Sequence, residues 1–426
     1  MQLNWSPLHA ALGMTSGEPL TLDLVRRAVA AGVRETASLE WKSEIPATAA
    51  GEAGRANIAK PIAAMANSGG GLIVYGVAED DANSGAAQRI TKVDTSEETV
   101  RRLLQIAGNL QPPVLGITPV QMPLDADSHQ GVLALLVPPS AHAPHLMPQK
   151  DGAFKAPYRQ GPQSGWMSEY QLEKAYAERF RQRASTSARV RALRDEVAAR
   201  IDVSEAPWLV AVGSPETPTP MPGRITKADM QGILTSALTT IASRDYGGSG
   251  IIRSLAEVGG LRILPGLQRW IVPTTANPLY TGVSDWAHAE VFWDGTVILA
   301  VNTGTFQNPI TVAGHHGVER EIVERLCVEF LTLVNSVVDH RGVPQQYNVE
   351  IDMIRGDDLP LACLPLNAIQ AHRTGGYDGI PVTRFLAVHT TLTPREATVE
   401  HQAGELATDI LNQFGLEYLS FLPGPA

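Results

Sequence analysis

Two short apolar runs, residues 38–42 and 72–77, are joined by one helical segment, and this order constrains the fold more than any other feature of the chain. Leu39 and Trp41 alternate with Glu40 and Lys42. A strand there turns its apolar pair to one face and its charged pair to the other. Ile58, Ile62 and Met65 recur at helical spacing within residues 53–67, predicting a helix with a core-facing stripe. Gly69, Gly70 and Gly71 end that helix, and the nearly all-apolar run from Leu72 to Val77 predicts a central strand. The scaffold gathers Glu35, Glu40, Lys42 and Glu79 around itself. Three acidic groups and a lysine are what a divalent metal and a phosphodiester would need.

The rest of the chain supplies further elements. Residues 20–31 predict a short helix stopped by Gly32. A turn over 80–87 leads to a strand over 89–93. Residues 96–110 predict a helix with Val100, Leu103, Leu104 and Ala107 inward, halted by Pro112 and Pro113. Strands are expected over 114–120, 132–137 and 155–160, the last closing the unit. Residues 168–183 and 186–200 predict two helices carrying Arg179, Arg181, Arg183, Arg189, Arg191, Arg194 and Arg200. A solvated face of linker helices is the simpler reading, a basic nucleic-acid flank the other. Prolines crowd 213–224, with Pro215, Pro218, Pro220 and Pro222 marking a linker.

Beyond it, Asp294 and Gly295 supply a hairpin turn between strands over 287–293 and 296–301. Residues 318–340 predict an amphipathic helix through Ile322, Leu326, Phe330 and Val334. Strands over 349–354 and 385–390 follow. A capping box at Thr393 to Glu396 opens a helix to about Asn412.

A chain of 426 residues exceeds one ordinary core. Its net charge of −10 excludes a protein whose whole surface binds nucleic acid. The charge is uneven, however. Residues 1–185 hold 17 Lys+Arg against 18 Asp+Glu, and the remainder 17 against 26, so the first part can still present a local positive groove. No run approaches the ~20 apolar residues of a membrane span, and the first residues lack a secretory pattern. Cys327 and Cys363 are too few for an all-cysteine zinc site or a disulfide framework. A cytoplasmic protein is expected.

Glu35, Glu40, Trp41 and Lys42, the helix ending in Ala66, Asn67, Ser68, Gly69 and Gly70, and the strand into Gly76 and Val77 together resemble the Schlafen AlbA-type domain. Tyr158, Arg159, Gln160 and Gly161 resemble that family's closing strand. The usual first motif is Glu, four residues, then Glu-Phe-Lys, and the helix usually ends Ala-Phe-Ala-Asn-Thr-x-Gly-Gly. Trp41 and Met65 stand here for the two phenylalanines. The resemblance covers about residues 20–180; the alanine- and arginine-rich composition suggests a bacterial protein.

The resemblance implies a mixed sheet with flanking helices over 1–183; the residue pattern adds a helical and proline-rich linker over 184–224 and a second α+β domain of unassigned role over 225–426, so the expected chain is α+β. The resemblance also implies a nucleic-acid-binding domain, regulatory or defence-related, of a type described as DNA-binding or as a divergent ATPase. Some vertebrate Schlafens cut RNA with three carboxylates. Glu35 and Glu40 fall on the first two positions and Lys42 on an adjacent basic one. Glu79 falls on the third, where the cutting enzymes carry aspartate. Those enzymes pair two lobes and carry a zinc site that this chain lacks.

The expected functional set is therefore Glu35, Glu40, Lys42 and Glu79 for catalysis. Glu35, Glu40 and Glu79 would hold Mg²⁺ or Mn²⁺, and zinc and ATP are not expected. The alternative is a surface ion pair between Glu40 and Lys42, worth ~0–1 kcal/mol, with solvated glutamates around it. Lys42, Lys155, Tyr158 and Arg159 are expected to contact DNA or RNA through phosphate charges and a stacking ring. Asn67 and the glycines read most simply as a helix end feeding a buried strand. No Gly-x4-Gly-Lys-Ser/Thr supports the nucleotide-binding ATPase alternative. His142, His145, His315 and His316 read as loop residues. Asp285, His288 and Glu290 read as paving on an exposed sheet face. Homo-oligomers remain compatible with everything in the sequence.

Overall fold

The computed structural model describes residues 3, 5–14, 18–47, 52–80, 85–125, 129–149, 152–204, 206–216, 224–244, 250–257, 262–273, 286–303, 311–341, 346–365, 376–393 and 398–424. The chain is α+β, as expected. It divides into two compact units, one of residues 1–185 with 341–345, the other of 186–340 with 346–426.

The first unit opens with α1 (Pro7–Ala11), α2 (Leu22–Ala30), β1 (Leu39–Lys42), α3 (Glu52–Ala66), β2 (Gly71–Tyr75) and β3 (Val77–Glu79). It continues with β4 (Ala87–Ile90), β5 (Val93–Asp94), α4 (Glu97–Gly108), β6 (Thr118–Pro123) and β7 (Gln130–Val137). The strands β8 (Met147–Pro148), β9 (Phe154–Lys155), β10 (Pro157–Gln160) and β11 (Gln163–Trp166) follow. The main sheet runs β1-β2-β7-β5, with β6 also on β7. β1 and β2 are parallel and the other pairs antiparallel, so the sheet is mixed.

Alternation along β2 builds two cores. Leu72 and Val74 pack with Leu39, Trp41 and the α2 residues Leu24, Val25 and Ala28. Ile73 and Tyr75 pack with Ile58, Ile62 and Met65 of α3 and Val100 and Leu103 of α4. β1 therefore hides Trp41 on the α2 side and turns Glu40 and Lys42 to the α3 side.

Several expected boundaries move. Gly76, at φ +94°, breaks the run 72–77 into β2 and β3. The strand expected over 114–120 begins only at Thr118, and the one over 89–93 splits around Lys92, whose φ is +67°. Residues 155–160 divide between β9 and β10, and β11 pairs back on β10 to close a hairpin beyond them. Part of the 80–87 turn lies outside the described residues.

The two expected arginine-rich helices are one, α5 (Glu169–Ala198). The second unit is built from β12 (Trp208–Pro215), α6 (Lys227–Ala242), α7 (Ile251–Glu257), β13 (Leu264–Gly266), β14 (Arg269–Pro273), β15 (Ala287–Phe292) and β16 (Val297–Asn302). β17 (Thr311–Val312), β18 (His315–Glu319), α8 (Arg320–Arg341), β19 (Tyr347–Ile354), β20 (Leu361–Leu364), β21 (Asp378–Val382), β22 (Val388–Leu392) and α9 (Val399–Asn412) complete it. An antiparallel sheet runs β13-β14-β15-β16-β12-β19-β22, beside a smaller β17-β18-β20-β21 sheet.

The Asp294–Gly295 hairpin forms as expected, with Gly295 at φ +95°. α8 is buried nearly all round rather than amphipathic, because α6, α7 and α9 join it on one sheet face. Of the linker expected over 184–224, the described residues from 186 to 216 belong to this unit. Val190, Leu193 and Val197 of α5 meet Trp208, Val210 and Val212 of β12, a fully buried strand. Arg189, Arg194 and Arg200 reach Asp294, Asp352 and Glu290, so these arginines are fasteners and not a solvated face. The rest of the proline cluster and the expected capping box at 394–396 lie outside the described residues.

Candidate nucleic-acid interface

β1 lifts Glu40 and Lys42 onto the α3 side of the sheet, and the β10–β11 hairpin delivers Arg159 opposite them. Glu40 is buried and each of its oxygens has a cation. Lys42 Nζ stands 2.7 Å from Oε1, and Arg159 Nη1 donates to Oε2 at 2.6 Å. The Arg159 side chain is only 2% exposed, against 36% for Lys42. Arg159 also donates to the Thr36 carbonyl at 2.9 Å and more weakly to Ser164 Oγ at 3.4 Å. A charge this deep is tolerable because it is paired and hydrogen-bonded.

Asn67 and Ser68 hold that hairpin in place. Asn67 Nδ2 donates to the carbonyls of His145 (3.0 Å) and Pro157 (2.8 Å), while Oδ1 accepts from the His145 amide at 2.7 Å. Ser68 Oγ accepts from the Arg159 amide at 2.8 Å. The glycines after them serve close packing. A Cβ on Gly70, at φ +83°, would lie 2.7 Å from Pro139 N, and one on Gly71 would lie 2.8 Å from the Ser38 carbonyl. His145 is fixed as well: Nδ1 sits 2.7 Å from the Pro112 carbonyl, and burial lowers its pKa to about 4.

Glu35 precedes β1 and is half-buried. Its Oε1 accepts from the Trp41 amide at 2.9 Å. Burial is the main cause that raises its pKa to about 7; the amide opposes this, and the nearby charge of Glu79 adds to it. The bond places Glu35 beside β1, where the charge of Lys42 lowers its pKa and that of Glu40 raises it. Glu79 lies at the end of β3, paired with β4. Among the described residues no three histidine, cysteine, aspartate or glutamate side chains converge to hold a metal ion. The acidic residues thus do not fit Mg²⁺ or Mn²⁺ as a trio, since both Glu40 oxygens already serve Lys42 and Arg159.

An open groove of about 610 Å³ runs past these groups, lined by Glu35, Glu40, Lys42, Asn57, Lys60, Arg159 and Ser164 among others. The expected contact set does not form one patch. Alternation in β10 sends Tyr158 and Arg159 to opposite faces. The Tyr158 ring covers Gly165, where an added Cβ would lie 3.0 Å from it. Arg159 points inward to Glu40.

Of two residues absent from that set, Lys60 lines the groove and Trp166 stands next to Lys60. Lys60 of α3 lies 5.0 Å from the Trp166 ring centre and Lys155 lies 5.7 Å from it, within cation–π range. Lys60 was legible as a residue off the Ile58–Ile62–Met65 stripe. Trp166 was legible as an aromatic just past the Gly161 turn.

The histidines outside this groove have structural partners. His315 and His316 sit in β18, not a loop, and His316 Nε2 is 2.8 Å from Asp357. His288 and Glu290 are buried, not paving, and Glu290 meets Arg200 at 2.7 Å. Asp285 lies outside the described residues.

A mixed sheet thus lies between two helical layers, and the buried Glu40 of its first strand pairs with Arg159 of β10 beside a groove. Residues 35–168 match the family model described as Schlafen, AlbA_2, and the chain carries a domain of that type. No curated protein and no solved structure matches the chain. Among the described residues no helix is long and apolar enough to cross a membrane.

Proposed function

We propose that the first unit binds nucleic acid, DNA or RNA, along the groove beside β1. A Schlafen AlbA_2 domain points to a nucleic-acid-related function in general. The observation that carries the finer reading is the division of charge at the groove. Lys42 and Arg159 share the Glu40 carboxylate, whereas Lys60 and Lys155 have no carboxylate partner among the described residues. A polyanion gains most where cations are not already matched, and releases counterions there. The net charge of the whole chain, −10, restricts that gain to a local surface.

Arg159 then acts from within, keeping Glu40 compensated and the hairpin seated. No cleavage step is derived from the acidic residues, because their geometry does not fit a divalent ion. The test is fluorescence anisotropy of labelled DNA and RNA oligonucleotides with the full-length protein across a salt series, with Mg²⁺, Mn²⁺ or EDTA. Binding that weakens steeply with salt and persists in EDTA is expected. Absence of salt-sensitive affinity for every strand would overturn the reading. Metal-dependent cleavage abolished by Glu40→Gln would reinstate the carboxylates as a metal site.

A further inference from the structure

Trp166 ends β11 with 41% of its surface exposed and two lysine ammonium groups within 6 Å of its ring centre. Two other cation–ring pairs differ in one respect. Arg269 lies over Phe292 and Arg320 over Tyr418, but Arg269 also pairs with Glu196 and Arg320 with Asp378. Lys60 and Lys155 have the ring and, among the described residues, no carboxylate. Both ammonium groups lie over a ring that is 41% exposed, so a planar base that displaced them would stack on the ring and leave two cations beside its phosphates.

We propose that Trp166 is a stacking platform for an unpaired nucleobase, with Lys60 and Lys155 taking the flanking phosphates, so that the groove selects single-stranded over double-stranded nucleic acid. This rests on the nucleic-acid reading above and specifies its substrate. Inside a duplex each base face is covered by its neighbours, so the ring gains a base only from an unpaired strand. Stacking of this kind tolerates any base, because each has a π-face. The preference is therefore for strandedness and not for sequence. Lys42 and Arg159 contribute less to phosphate contact, being matched to Glu40.

The experiment compares four probes of equal length by anisotropy with the full-length protein: oligothymidylate, oligouridylate, an abasic sugar–phosphate strand and a DNA duplex. The wild type is expected to bind the base-containing strands about tenfold tighter than the abasic strand and the duplex. Trp166→Ala is expected to erase that margin while keeping the salt dependence, and Trp166→Phe to retain most of it. Equal wild-type affinity for abasic and base-containing strands would overturn the proposal without touching the nucleic-acid reading. So would a margin that survives in Trp166→Ala. Failure to bind any of the four would overturn both. The abasic comparison uses the wild-type protein alone and does not depend on how the variants fold.

Discussion

In the second unit, Glu324 and Glu329 are fully buried on α8 and accept hydrogen bonds from backbone amides. Glu324 takes those of Ser420 (2.5 Å), Phe421 (2.9 Å) and Leu422 (3.0 Å), and Glu329 those of Ile251 (3.1 Å) and Ile252 (2.7 Å). In the first unit, Glu40 is nearly as buried, yet its partners are two side-chain cations on the wall of a groove. An amide has no other conformation to offer, so the α8 carboxylates pin chain segments. Lys42 is 36% exposed and Arg159 only 2%, so of the two only Lys42 is open to another anion. Burial alone therefore does not distinguish a fastener from a functional group; the partner does.

The largest test of this contrast is Arg159→Ala. It leaves Glu40 buried and short of its inner cation, which costs about 3–5 kcal/mol. Urea unfolding followed by circular dichroism should show that loss, with Arg159→Lys intermediate. A variant as stable as wild type would mean that Glu40 is already solvated. Glu324→Ala should cost a comparable amount, since it leaves the amides of Ser420, Phe421 and Leu422 without their acceptor, at about 1–3 kcal/mol for each one left unsatisfied. Its mark should be faster hydrogen exchange at residues 420–422, with no change in nucleic-acid affinity. A loss of affinity there would break the division of roles.

Glu35 sharpens the comparison through pH. In the folded chain it holds its proton up to about pH 7, against an ordinary 4.5, chiefly because burial disfavours the charge. The folded state then binds more protons than the unfolded one between those values, and stability from this group falls as pH rises through that window. The Tm of Glu35→Gln relative to wild type should accordingly rise between pH 5 and pH 8. A constant difference would show that Glu35 titrates normally. The smallest effect belongs to Lys42→Ala. Its ammonium is over a third exposed, so stability should change by only ~0–1 kcal/mol in thermal unfolding.

The local part of this site was legible in the sequence. Period-two alternation over 39–42 set Glu40 and Lys42 on one face, and the apolar run after the glycines gave the central strand. The Glu40–Arg159 pair was not, since it joins residues 119 apart and depends on how the β10–β11 hairpin docks. Local sequence reads Asn67 as a helix end, and its bonds to His145 and Pro157 come from chain 78 and 90 residues away. Tyr158 and Arg159 were grouped by adjacency, although neighbours in a strand face opposite ways. The arginines of α5 concealed the Val190–Leu193–Val197 stripe that packs on β12. High charge density suggests solvation, but long arginine side chains reach past an apolar seam to carboxylates beside it.

The central claim is that unmatched lysines beside Trp166 receive the phosphates, while the matched cations around Glu40 hold the architecture. The most direct measurement is the slope of log affinity against log salt for a single strand, in wild type and in Lys60→Ala/Lys155→Ala. Losing two phosphate contacts should reduce the slope by about 1.4, at roughly 0.7 per contact. An unchanged slope in the double variant, with the fold intact, would contradict the account.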